Sequence, residues 1–191
     1  MSDLPTPANS ITVPTAYKMH TLENGSLAPL FTTTDLNGQT LSLNEALTAG
    51  PVILVFGHPQ INASRLVIGY LRRLAEIAPA VPVWVMLECS EGDARKYVGS
   101  GDHHYLEMPV VVDDCRVASL YSAKYLPTTY FIGQDGKIIR AYTGFNRDFM
   151  NMIANEAATM TANGAEVKAK ELITDSDNKG SLELAERGPC L

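Results

Sequence analysis

The chain has 191 residues, 46% hydrophobic and 19% charged, with a formal net charge of −6. That length supports one well-buried core with residues left over for tails, and the composition excludes fibrous and wholly disordered classes. Lysine and arginine are scattered and outnumbered by aspartate and glutamate, 15 to 21, so no basic stripe is available to neutralise phosphates and no nucleic-acid partner is expected.

Residues 1–25, rich in Pro, Ser, Thr and Asn without periodicity, read as an extended N-terminal arm. Their opening, MSDLPTPANSITVPTAYKMH, carries no basic stretch followed by an apolar one. No apolar run approaches the roughly 18 to 20 residues needed to cross a bilayer, so a cytoplasmic protein without membrane contact is expected. Residues 31–43 read as two short strands about an Asn37-Gly38 reversal. Asn44 is expected to cap a short helix that ends near Gly50.

Residues 52–56, VILVF, are continuously apolar and β-branched between Pro51 and Gly57, the pattern of a strand covered on both faces. Leu66, Val67, Tyr70, Leu71, Leu74 and Ile77 then fall at helical spacing, and Pro79 and Pro82 stop the helix. Asn62 and Ser64 are expected to cap its start. Residues 81–87, VPVWVML, give a second buried strand, which makes a parallel strand–helix–strand unit. A short helix with an acidic first turn follows over residues 90–98. After a polar loop containing His103 and His104 comes a third apolar run at 109–112, then a short helix predicted over 119–125. Residues 128–132 and 137–142 form a hairpin about a glycine-containing turn. A helix is predicted over 146–160, and the charged tail beyond Gly164 is expected to be mobile.

The stretches LAPLFTTTDLNGQTLSLNEAL, VILVFGHPQINASR and VVVDDCRVASLYSAKYLPTTYFIGQDGKII resemble successive blocks of the redoxin family, which spans peroxiredoxins and TlpA-like thiol–disulfide oxidoreductases. The resemblance implies an α/β, thioredoxin-like fold with a central mixed sheet over residues 26–162, flanked by the arm (1–25) and a C-terminal extension (163–191). It also implies a cis peptide between Leu126 and Pro127, beside the loop that follows the central strand. Backbone there offers an edge on which an extended peptide can pair.

Family members place cysteines in that loop, where a helix N-terminus lowers the thiol pKa. The corresponding positions here are Ile61 and Ser64, and no cysteine occurs before Cys89. A hydrolytic pairing of His58 with Ser64 lacks a nucleophile-elbow motif and a third member. The three cysteines, Cys89, Cys115 and Cys190, have no C-x-x-C spacing and in a reducing compartment default to free thiols. Cys89 and Cys115 each follow the C-terminal end of a predicted parallel strand, the edge where open α/β sheets place ligands.

Two functions follow from this reading. The first is a degenerate redoxin acting as a non-catalytic binding or accessory module for a protein, peptide or small molecule. It would use the groove formed by His58, Ile61, Ser64, Leu126, Pro127 and Thr128, without cofactor or metal. The alternative is a thiol–disulfide oxidoreductase or peroxidase in redox homeostasis, working through relocated cysteines Cys89 and Cys115.

Overall fold

The computed structural model describes residues 21–99, 108–161 and 185–186. Its centre is set by β3 (Val52–Gly57), in which every residue is buried. Side chains alternate across a strand, so Val52, Leu54 and Phe56 enter one core while Ile53 and Val55 enter the other. A strand apolar on both faces has to sit inside a sheet with a layer on each side.

That sheet has five strands in the order β5-β4-β3-β7-β8. The partners are β4 (Val83–Leu87), β5 (Val110–Val112), β7 (Thr128–Ile132) and β8 (Ile138–Thr143). β4 runs parallel to β3 and β5 parallel to β4, while β7 is antiparallel to both β3 and β8. The sheet is therefore mixed.

One face is covered by α2 (Asn62–Ile77) and α5 (Arg147–Thr161). Val67, Ile68, Leu71 and Leu74 from α2 meet Met150, Ile153 and Ala157 from α5 over Ile53 and Val55. The opposite face receives α1 (Leu43–Ala49), α4 (Arg116–Leu120) and the hairpin of β1 (Thr32–Thr34) and β2 (Thr40–Ser42). Its core is aromatic: Phe56, Tyr121 and Tyr130 pack with ring centroids 5.1–6.1 Å apart. The buried hydroxyls are satisfied, Tyr130 Oη donating to Tyr121 O at 2.6 Å and Tyr121 Oη to Pro29 O at 2.9 Å. α3 (Glu91–Gly99) follows β4.

Several local expectations need correction. The cap of α1 is Ser42, whose Oγ accepts from Glu45 N at 3.4 Å; Asn44 lies inside the helix. The helix predicted over 119–125 instead occupies Arg116–Leu120, because the Asp113 carboxylate accepts from the amides of Val117 and Ala118 and starts the helix early. Tyr125 then belongs to a two-residue strand, β6 (Tyr125–Leu126). The tail contributes structure as well: β9 (Ala185–Glu186) pairs antiparallel with β6. The extended conformation expected for residues 1–20 and the His103-His104 loop lie outside the described residues.

Candidate functional site

β3 and β7 pair with Phe56 opposite Thr128, so Gly57 and Pro127, the next residues along, lie at the same end of the sheet. The Leu126–Pro127 peptide is cis. The loop after β3 and the turn before β7 are thereby brought to one edge, which α2 overlooks with its N-terminus.

α2 starts without a side-chain cap. Its N-cap residue is Ile61, in extended conformation at φ −89° and ψ 117°. The capping expected of Asn62 and Ser64 is overturned: both lie within the helix, and Ser64 is wholly buried with no hydrogen-bond partner for Oγ. The cause is the tight approach of α2 to β3. A Cβ added at Gly57 would lie 3.2 Å from Ser64 Cβ and 3.3 Å from its Oγ. Gly57 thus admits the helix, and the helix seals Ser64 against the strand. Ile61 is partly buried and packs on the aromatic core.

His58 is partly exposed, and its Nδ1 accepts from Gln60 N at 3.1 Å. With Ser64 Oγ unpartnered, no Ser64–His58 hydrogen bond exists and a hydrolytic pair is absent. Leu126 and Thr128 are buried. Thr128 Oγ1 donates to Tyr125 O at 2.6 Å and lies 3.1 Å from Thr143 Oγ1. Thr128 is paired on both sides, with Phe56 of β3 and with Thr143 of β8, whereas Leu126 lies outside the five-stranded sheet and pairs with Ala185. Pro127 O accepts from Gly144 N at 2.7 Å.

The strands carrying the other candidates are neighbours, with Leu87 opposite Val112. Cys89, two residues past β4, is a free, half-buried thiol. Burial pushes it up to about 11, and the nearby Asp93 carboxylate adds to the rise. At neutral pH so little thiolate is present that it is a poor nucleophile. Cys115 stands at the N-cap of α4 in the left-handed region, φ 70°, and is disulfide-bonded. Because Cys89 is free, the two are not bonded to one another. Among the described residues no group of three His, Cys, Asp or Glu side chains is placed to hold a metal.

Two features escaped the sequence reading. Asp113 reaches amides four and five residues ahead, at 3.0 and 2.8 Å. That lies outside the usual capping spacing, so only its position before a helical run could have signalled it. β9 is two residues long and carries no sequence signal of its own.

No family model matches the chain. A curated relative, the thiol-disulfide oxidoreductase ResA of Bacillus subtilis (strain 168), is 27% identical over 139 residues, covering 69% of this chain and 76% of its own. A thiol:disulfide interchange protein from Bacteroides sp. superposes with a TM-score of 0.60 at 21% identity, covering 76% of this chain and 93% of that one. The peroxidoxin BcpB of Mycobacterium tuberculosis gives 0.61 at 18% identity, over 73% of this chain and 97% of the other. The thioredoxin domain of a thiol-disulfide oxidoreductase from Bacteroides vulgatus gives 0.60 at 20% identity, over 71% and 99%. The fold shared with these structures is thioredoxin-like.

Proposed function

We propose that this chain, a member of the thioredoxin-like superfamily of redoxin and TlpA-like type, is a non-catalytic binding or accessory module that holds an extended protein or peptide segment along the β6–Pro127 edge. The observation carrying this reading is the chemistry at the start of α2. Thiol–disulfide exchange needs a thiolate at the helix N-terminus, and that position is Ile61, whose side chain neither ionises nor attacks. Ser64 is sealed from solvent and has no base beside it. Backbone pairing at the edge needs no sulfur, so the docking capability outlives the loss of the dithiol.

A second reading, thiol–disulfide oxidoreductase or peroxidase, is favoured by the activity named for the Bacillus relative and by the disulfide at Cys115. The raised thiol of Cys89 weighs against it. The disulfide bears on location too. It suits an oxidising compartment better than the reducing cytoplasm expected from the sequence, while no helix among the described residues is long and apolar enough to cross a membrane.

Insulin-reduction and peroxide-consumption assays on the wild type and on Cys89→Ser separate the two readings. The expected result is background turnover for both proteins. Wild-type turnover that Cys89→Ser abolishes would replace the binding module with the enzyme.

A further inference from the structure

At the end of the sheet away from Pro127 lies a cavity of about 560 Å³. The five residues of β7, Thr128–Ile132, separate the two places, which puts them roughly 17 Å apart. The cavity opens between α1, the segment 27–30 and the turn from β7 into β8. Its size falls among small-molecule sites, about 300 to 1,000 Å³.

Three hydrogen bonds fix its walls in place. Ala28 N donates to Gly136 O at 2.8 Å and Leu43 N to Phe31 O at 3.1 Å, which ties the segment 27–30 to the turn and to the start of α1. Gln134 Nε2 donates to Thr48 O at 3.2 Å and joins the turn to the end of α1. The cavity is therefore formed by the fold itself.

Leu27, Ala28, Leu30 and Leu47 supply an apolar lining. Leu27 is 72% and Leu30 58% exposed, so two of the four large hydrophobic side chains exposed among the described residues stand at this one mouth. Apolar surface gathered in one place and rimmed by polar groups marks a binding site. The rim also has a sign. Asp135 is the charged residue of the lining, and no cation lines it. A Cβ at Gly133 would lie 2.9 Å from Asp135 Oδ1, so the turn leaves room for this carboxylate. Asp135 Oδ1 accepts from Lys137 N at 3.1 Å, and Oδ2 lies 3.7 Å from Lys137 Nζ. Both side chains of that ion pair are more than half exposed. Such a pair holds weakly in water, and a carboxylate has acceptor sites left for a second cation.

We propose that this cavity binds a small amine, its ammonium group at Asp135 and its alkyl or aryl body over Leu27, Leu30 and Leu47. Covering the leucines supplies the affinity, and the carboxylate discriminates against anions of the same shape. The site goes beyond the docking reading and shares no residue with the β6–Pro127 edge, so either can fail without the other.

The test is a titration of the ¹⁵N-labelled full chain, followed by amide shifts, with 2-phenylethylamine and with phenylacetate. The amine is expected to move the amides of Ala28, Asn44, Thr48, Gln134 and Gly136 with a Kd on the order of 1 mM. Phenylacetate is expected to bind at least about threefold more weakly. Asp135→Asn should bring the two probes within about twofold of each other, and Leu30→Ser should weaken both at least about threefold. Both side chains are exposed, so neither change touches the core. No shifts at these amides up to about 20 mM of amine overturns the site. Equal binding of the two probes, or a preference for the amine that survives Asp135→Asn, overturns the assignment to an amine. Shifts of the same amides that grow with protein concentration in the absence of either probe give the cavity to a second copy of the chain and overturn the small ligand.

Discussion

At the start of α4 the buried Asp113 carboxylate accepts from two helix amides, whereas α2 begins with no side-chain cap and with Ser64 Oγ buried and unpartnered. Both helices start at the same edge of the sheet, after β5 and after β3. A carboxylate meeting two buried N–H groups stabilises the fold, because those donors would otherwise be desolvated without compensation. A buried hydroxyl without a partner does the reverse. The difference teaches that the α4 end is built for stability. The α2 end, with Ile61 at its N-cap and a buried, unpartnered Ser64, carries no such stabilising contact.

The comparison breaks most visibly at Asp113. Asp113→Ala removes both charge-assisted bonds and is expected to cost about 2 to 4 kcal/mol in urea unfolding. A loss under about 1 kcal/mol would mean that water replaces the carboxylate there. At α2 the opposite sign is expected: Ser64→Ala should leave stability unchanged or raise it by up to about 1 kcal/mol. A clear loss on the same measurement would show that the hydroxyl finds a partner in solution.

The smallest effect concerns Cys89, at the end of β4. Its folded value is raised from 9.0 to about 11, so between those pH values the unfolded chain gives up the proton while the folded chain keeps it. The thiol's contribution is fully present below about pH 9 and is lost as pH rises through about 11. Melting temperature should therefore fall less steeply across that window in Cys89→Ala than in the wild type. Burial also raises Tyr97 and Tyr130, each to about 12, but both proteins share these groups. Coincident slopes would place Cys89 in contact with water.

Much of the architecture was legible because burial writes itself into composition. The run VILVF had to be a doubly covered strand, and the spacing of Val67, Leu71 and Leu74 had to be a helix face. Helix starts were less legible. Asn44, Asn62 and Ser64 have capping chemistry, yet the caps are Ser42 for α1 and none for α2. Capping depends on where the backbone leaves the helix, and packing decides that. The approach of α2 to Gly57 turned Ser64 from a plausible cap into a sealed residue. The pairing of β6 followed the same rule: Pro127 was visible as a motif, but nothing in residues 185–186 announced that they would pair beside it.

The order of amino acids alone therefore determined which segments are buried, the strand and helix periods, and the lack of sulfur at positions 61 and 64. These are properties of single residues and of short-range spacing. Tertiary structure alone decided that Phe56 pairs with Thr128, that Cys89 stays free while Cys115 is bonded, and that Ala185–Glu186 lies on β6. Each of these joins residues far apart in the chain, and such pairings are fixed only when the whole core closes around them.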